Sequence, residues 1–262
     1  MTEIHEEAEE RIPLDDENDR FFERMQPAMT ELYDSARAMN ELDFVRTIAA
    51  DLWNNDDAET SIAAETQMFF NDYIMYLDHV DLTRVNLRIM LGFYCQLARG
   101  AGHYEIIGNL LRIVGGGRYR EWPFDDDLPA DPVGAESCGV LRRLADQATL
   151  YGRNDLAGVL REAFNEDLVS SNERADLLMR EDGIRLLHKN GGDPACMTLV
   201  EFHAYFERGI SFFEGLREVT ASYLTKYQNE TKVSGRFDDG TEQEYTVRAD
   251  LRKRKMSILQ AN

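Results

Sequence analysis

Between Thr198 and Tyr227 the chain carries Leu199, Phe202, Phe206, Ile210, Phe213, Leu216, Tyr223 and Tyr227 at intervals of three, four and seven. That spacing puts them along one side of a single long helix. At 1.5 Å per residue such a helix is about 45 Å long. A rod of this length with an aromatic edge needs other helices to cover it, so the stripe reads as core rather than as a cofactor box. Its apolar load also exceeds what one copy is expected to cover, which predicts a homodimer.

The rest of the chain supplies the covering helices. Phe21, Phe22, Met25, Met29, Leu32, Tyr33 and Ala36 mark a helix beginning near Asp19, with Pro27 expected to kink or reset it. A second helix is predicted over Leu42–Trp53, and a third from Asp56 or Asp57 to Asp78. Thr83–Val114 is the most apolar part; Gly100-Ala-Gly102 divides it into two helices and Gly115-Gly-Gly117 ends it. Residues 118–135 hold three prolines and an acidic cluster and read as a long loop. Two short helices follow, at about 136–151 and 153–166. Period-two patterns with intervening turns predict β-hairpins near 175–188 and 233–251. The expected fold class is therefore all-α, a multi-helix bundle with short β-hairpin additions. It divides into an acidic flexible arm (1–18), an N-terminal helical part (19–117), the loop, a C-terminal helical part (136–230) and a hairpin tail (231–262).

Charge narrows the partners. The net charge is −20, and residues 1–60 hold 18 acidic against 5 basic side chains. A field of this sign repels bare nucleic acid and anionic membrane. RNA is thus not favoured by net charge, and a protein partner is the expectation. The longest apolar run, near Ile89–Cys95, is far short of the ~20 residues that span a bilayer. Three scattered cysteines, Cys95, Cys138 and Cys196, predict reduced thiols. With an acidic start that lacks an apolar signal segment, they lead to an expected cytoplasmic location.

Searches for chemistry find no phosphate-binding loop, no intact dinucleotide fingerprint, no H-E-x-x-H and no G-x-S-x-G. The five histidines show no metal-ligand spacing, and neither metal nor cofactor is expected. His103 begins a helix that runs to Arg112 and could act as an acid/base group, although a histidine there is ordinarily a cap or a surface residue. Arg252, Lys253, Arg254 and Lys255 form the densest basic run, suited to phosphate or partner contact; its ordinary role is a solvated strand edge.

Three stretches carry a family resemblance. Arg84-Val-Asn-Leu-Arg-Ile-Met-Leu91 followed by His103-Tyr-Glu-Ile-Ile-Gly-Asn-Leu-Leu-Arg112 resembles a central helix pair. Leu168–Leu187 resembles a region following a catalytic helix, and the long aromatic helix and terminal hairpin follow in the same order. Together they cover about residues 80–250 and resemble a bacterial branch of the HEPN superfamily, helical proteins of toxin–antitoxin and anti-phage systems. The resemblance implies RNA cleavage by an Arg and a His on one helix with four to six residues between them, paired across a dimer. The His would handle protons and the Arg would steady charge on the phosphate. This chain departs there: Val169-Ser170 and Arg174 stand at those places, and none of its histidines follows an arginine at that gap. The implied function is a non-catalytic binding or regulatory protein. The alternatives are a ribonuclease with displaced residues, drawing on His103 or His188 with Arg174 or Arg180, and a helical scaffold for a small molecule.

Overall fold

The computed structural model of the chain describes residues 13–49, 71–72, 75, 83–99, 101–120, 123, 139–180, 182–187, 195–236, 241–252 and 255–260. Most of the expected third helix and of the 118–135 loop lie outside them. The order is α1 (Pro13–Met39), α2 (Glu41–Ile48), α3 (Arg84–Arg99), α4 (Ala101–Val114), α5 (Gly139–Leu150), α6 (Asn154–Glu162) and α7 (Glu166–Glu173). Then come β1 (Leu177–Met179), β2 (Gly183–Leu186), β3 (Ala195–Thr198), α8 (Leu199–Thr225), β4 (Thr231–Arg236), β5 (Glu242–Asp250) and β6 (Lys255–Gln260).

α8 is the axis. Thr198 caps it: the Thr198 hydroxyl accepts from the Glu201 N–H, and Glu201 accepts from the Thr198 N–H. This reciprocal box satisfies two otherwise orphaned groups. Phe202, Phe206, Phe212, Phe213, Leu216 and Tyr223 are buried along it. Tyr94 of α3 stands among Phe164, Phe202 and Phe206, while Tyr33 of α1 packs on Tyr223. Gly209 makes the first approach possible, because a Cβ there would press on Phe164 and Tyr94. The far end of α8 is tied by tyrosine hydroxyls, Tyr33 to Thr220 at 2.6 Å and Tyr223 to Asp34 at 2.5 Å. The aromatic stripe is thus covered within one chain, and it gives no ground for a dimer. Buried residues from α1 to β6 form one core that joins the two expected helical parts.

Four expectations need correction. The apolar spacing predicts a helix from near Asp19, but α1 begins at Pro13, so residues 13–18 are helix rather than arm. Asn18 explains the difference: it is buried, its Nδ2 donates to the Ala204 carbonyl at 3.0 Å, and its Oδ1 accepts from Arg208 Nε at 2.8 Å. Pro27 neither ends nor resets α1, whose buried Met25, Ala28, Met29 and Leu32 hold it in place despite one lost hydrogen bond. A separate helix, α7, occupies 166–173, with Asn165 as its cap. Finally, all-α is too narrow a class: the fold is mostly helical with two antiparallel sheets of three strands each, β1-β2-β3 and β4-β5-β6. The strands β3 and β6 extend the two expected hairpins. Val233, Tyr245, Val247, Ala249 and Met256 form the buried face of the second sheet. This sheet lies on α2, where a Cβ at Gly235 would strike Leu42.

Candidate functional site

The expected catalytic position falls on α7. Its cap is built from two directions: Asn165 Oδ1 accepts from the Leu168 N–H at 2.9 Å, and the Asn165 N–H donates to the Tyr94 hydroxyl at 2.7 Å. Leu168, Val169 and Ser171 are buried, so this side of α7 is core. Ser170 donates its hydroxyl to the Glu166 carbonyl at 2.8 Å. At the other end the chain turns sharply through Ala175, whose φ of 54° is unusual for a residue with a side chain. The turn is fixed by the Asp176 N–H, which donates to the Ser171 carbonyl at 2.9 Å.

This end of α7 gathers charge. Arg99, the last residue of α3, places Nε 2.6 Å from Glu173 Oε1. Arg174 donates from Nε to Asp176 Oδ2 at 3.2 Å. Cys95, one turn before Arg99, is buried beside Asn172, and burial pushes its thiol up to about 12 against the pull of Arg99. A thiol so held is not a nucleophile at neutral pH. The cluster therefore consists of paired ions, a hydroxyl bonded to backbone and a protonated thiol.

The sequence candidates scatter around it. Arg174 lies at the α7 terminus with its side chain half exposed. His103 lies in the first turn of α4, four residues after Arg99, the residue whose guanidinium pairs with Glu173 of α7. His188, Lys253 and Arg254 lie outside the described residues. Arg252 is exposed in the turn between β5 and β6, its N–H donating to Asp250, and Lys255 opens β6 opposite Asp250. Among the described residues, no group of three or more His, Cys, Asp or Glu could hold a metal ion. None of the described helices is long and apolar enough to cross a membrane.

Two features escaped the reading of the sequence. Asp43 of α2 is wholly buried; its Oδ2 accepts from Arg118 Nε at 2.8 Å and from Asn40 Nδ2 at 3.0 Å, and Arg46 lies 3.6 Å from Oδ1. Around it, Arg46 stacks on Tyr119, Arg112 Nε donates to the Arg118 carbonyl, and the Asn109 side chain clasps the Arg120 backbone through both its oxygen and its nitrogen. The only hint was an acid inside the apolar run Leu42–Val45. The second feature is a groove of about 250 Å³ between α1 and α8. Phe22, Met25, Met29 and Val219 line it with Gln26, Ser211, Glu214 and Glu218. No protein-family model, curated protein or solved structure matches the chain.

Proposed function

We propose that this chain is a non-catalytic HEPN-like protein that acts by binding, as a regulatory or assembly partner of the kind found in toxin–antitoxin and anti-phage systems. The observation that carries this reading is the pairing at the end of α7. Arg99 holds Glu173, Asp176 holds Arg174, and Ser170 is bonded to the Glu166 carbonyl. Metal-free cleavage of RNA needs a group that exchanges protons near neutral pH. Arginine stays charged, serine and asparagine do not titrate usefully, and Glu173 is ion-paired. The net charge of −20 favours a basic protein surface over RNA as the partner. Incubating the purified chain with labelled RNA, with and without magnesium, tests the reading. The expected result is no cleavage above background. Cleavage that His103→Ala or His188→Ala abolishes would overturn it.

One observation favours a second reading, a ribonuclease with displaced residues. The Arg99 guanidinium reaches the terminus of α7 one residue before Arg174, and His103 follows Arg99 with three residues between, one fewer than the family spacing. In that reading His103 moves the proton and the arginines steady the phosphate. Loss of activity in both His103→Ala and Arg99→Ala would select it.

A further inference from the structure

The outer edge of α3 and the α1–α8 groove are opposites. α3 contains Arg84, Arg88 and Arg99 and no acid, in a chain of net charge −20. Its solvent side presents Arg84, Val85, Arg88, Ile89, Gly92 and Gln96, all exposed. Val85 and Ile89 keep 62% and 43% of their surface in water, well beyond what a core-facing residue would. Val85, Ile89, Gly92 and Gln96 follow one another at four, three and four residues, the edge one helix offers to another. A Cβ added at Gly92 would meet nothing within 4 Å, so the backbone is bare there and another element can come close.

The groove has the converse chemistry. Its floor is Phe22, Met25, Met29 and Val219; Phe22 is half-buried and offers the apolar surface, while the other three are core side chains beneath it. Gly215 lines it as well, and a Cβ there would press on the Met25 methyl. Glu214 and Glu218 stand on its rim, four residues apart on α8. Arg217 is drawn to both, which offsets one of the two charges and leaves the rim acidic.

We propose that a second copy of this chain seats the exposed edge of α3 in this groove. Val85 and Ile89 sit over Phe22 at the mouth of the groove, and Arg84 and Arg88 meet Glu214 and Glu218. Both charged pairs have the same separation, four residues or about 6 Å along a helix, so one alignment of the two helices satisfies both. This contact is built on different surfaces of the two copies. It closes as a pair if each copy gives its α3 to the other and otherwise runs head to tail. It does not rest on the binding role proposed above, and either can fail without the other.

Sedimentation of the full chain across a micromolar concentration series tests it, with far-UV dichroism confirming the fold of each variant. The wild-type chain is expected to self-associate. The double variant Arg84→Glu with Arg88→Glu, and separately Glu214→Lys with Glu218→Lys, should each weaken association by at least about tenfold, since like charges then face each other. An equal mixture of the two variants should restore it, because each supplies what the other lost. Glu230→Lys, an exposed reversal elsewhere, should change little. A chain that stays monomeric to high micromolar concentration would overturn the proposal. So would unaltered association in the variants, a mixture that fails to recover, or a loss in Glu230→Lys equal to that in the groove variant.

Discussion

Asp43 has no exposed surface, yet it carries a charge that only its neighbours can compensate. Replacing it by asparagine keeps the shape and removes the partner of Arg118, which is itself only about a third exposed. Breaking a buried pair costs several kcal/mol, and partial exposure of the arginine lowers that. Asp43→Asn is expected to lower stability by about 2–4 kcal/mol in urea unfolding. Cys95 offers a test in pH. Its folded thiol holds its proton up to about 12, whereas the unfolded thiol releases it near 9. The folded state thus binds more protons in this window, and stability falls as pH rises from about 9 towards 12. Burial also raises Tyr223 and Tyr227 above the ordinary tyrosine value, and each has a carboxylate beside it, so both act in the same direction above about 10. The alkaline loss of urea midpoint should be shallower in Cys95→Ala than in the wild-type chain; an unchanged slope would show that Cys95 is not its source. Buried ions and thiols of this kind are hard to read from sequence. Nothing in Leu42-Asp-Phe-Val45 announces that an arginine 75 residues away closes over the acid.

At the scale of elements, the helices that bury one face were the legible ones. α1 and α8 show the three-and-four spacing of a buried stripe, and α3 and α4 show as the most apolar part of the chain, although Val85 and Ile89 of α3 face solvent. The short pieces were not. In β3 one residue of four is buried, at Met197, so no alternation could reveal it. β6 does alternate, with Met256 buried and Ile258 half-buried against Ala249 and Val247, but it follows directly on the basic run. The start of α1 is hidden in the sequence because its acidic residues suggest solvation, whereas Asn18 and Arg208 dock it. Asn18→Ala leaves Arg208 Nε without its acceptor and should cost about 1–3 kcal/mol by urea unfolding. Gly183 sits at φ 149°, and a Cβ there would collide with the Met197 carbonyl between β2 and β3. Gly183→Ala should therefore destabilise the chain by more than about 2 kcal/mol, and a change within 0.5 kcal/mol would contradict that reading.

For the molecule as a whole, the candidate site was legible mainly in what it lacks. Val169, Ser170 and Arg174 could be read against the pattern of the HEPN resemblance, and that reading already pointed away from proton transfer. What could not be read was that Arg99 of α3, far off in sequence, would take up the charge of Glu173, whereas the Arg174–Asp176 pair is local. Nor could the acidic groove be read, since α1 and α8 supply its walls from opposite ends of the chain. On the proposed function, this end of α7 binds and does not cleave. The most direct measurement is a single-turnover assay, with protein in excess over labelled RNA, followed from pH 5 to pH 9. The account predicts a rate indistinguishable from the protein-free control at every pH. A bell-shaped rate profile that disappears in His103→Ala or His188→Ala would contradict it.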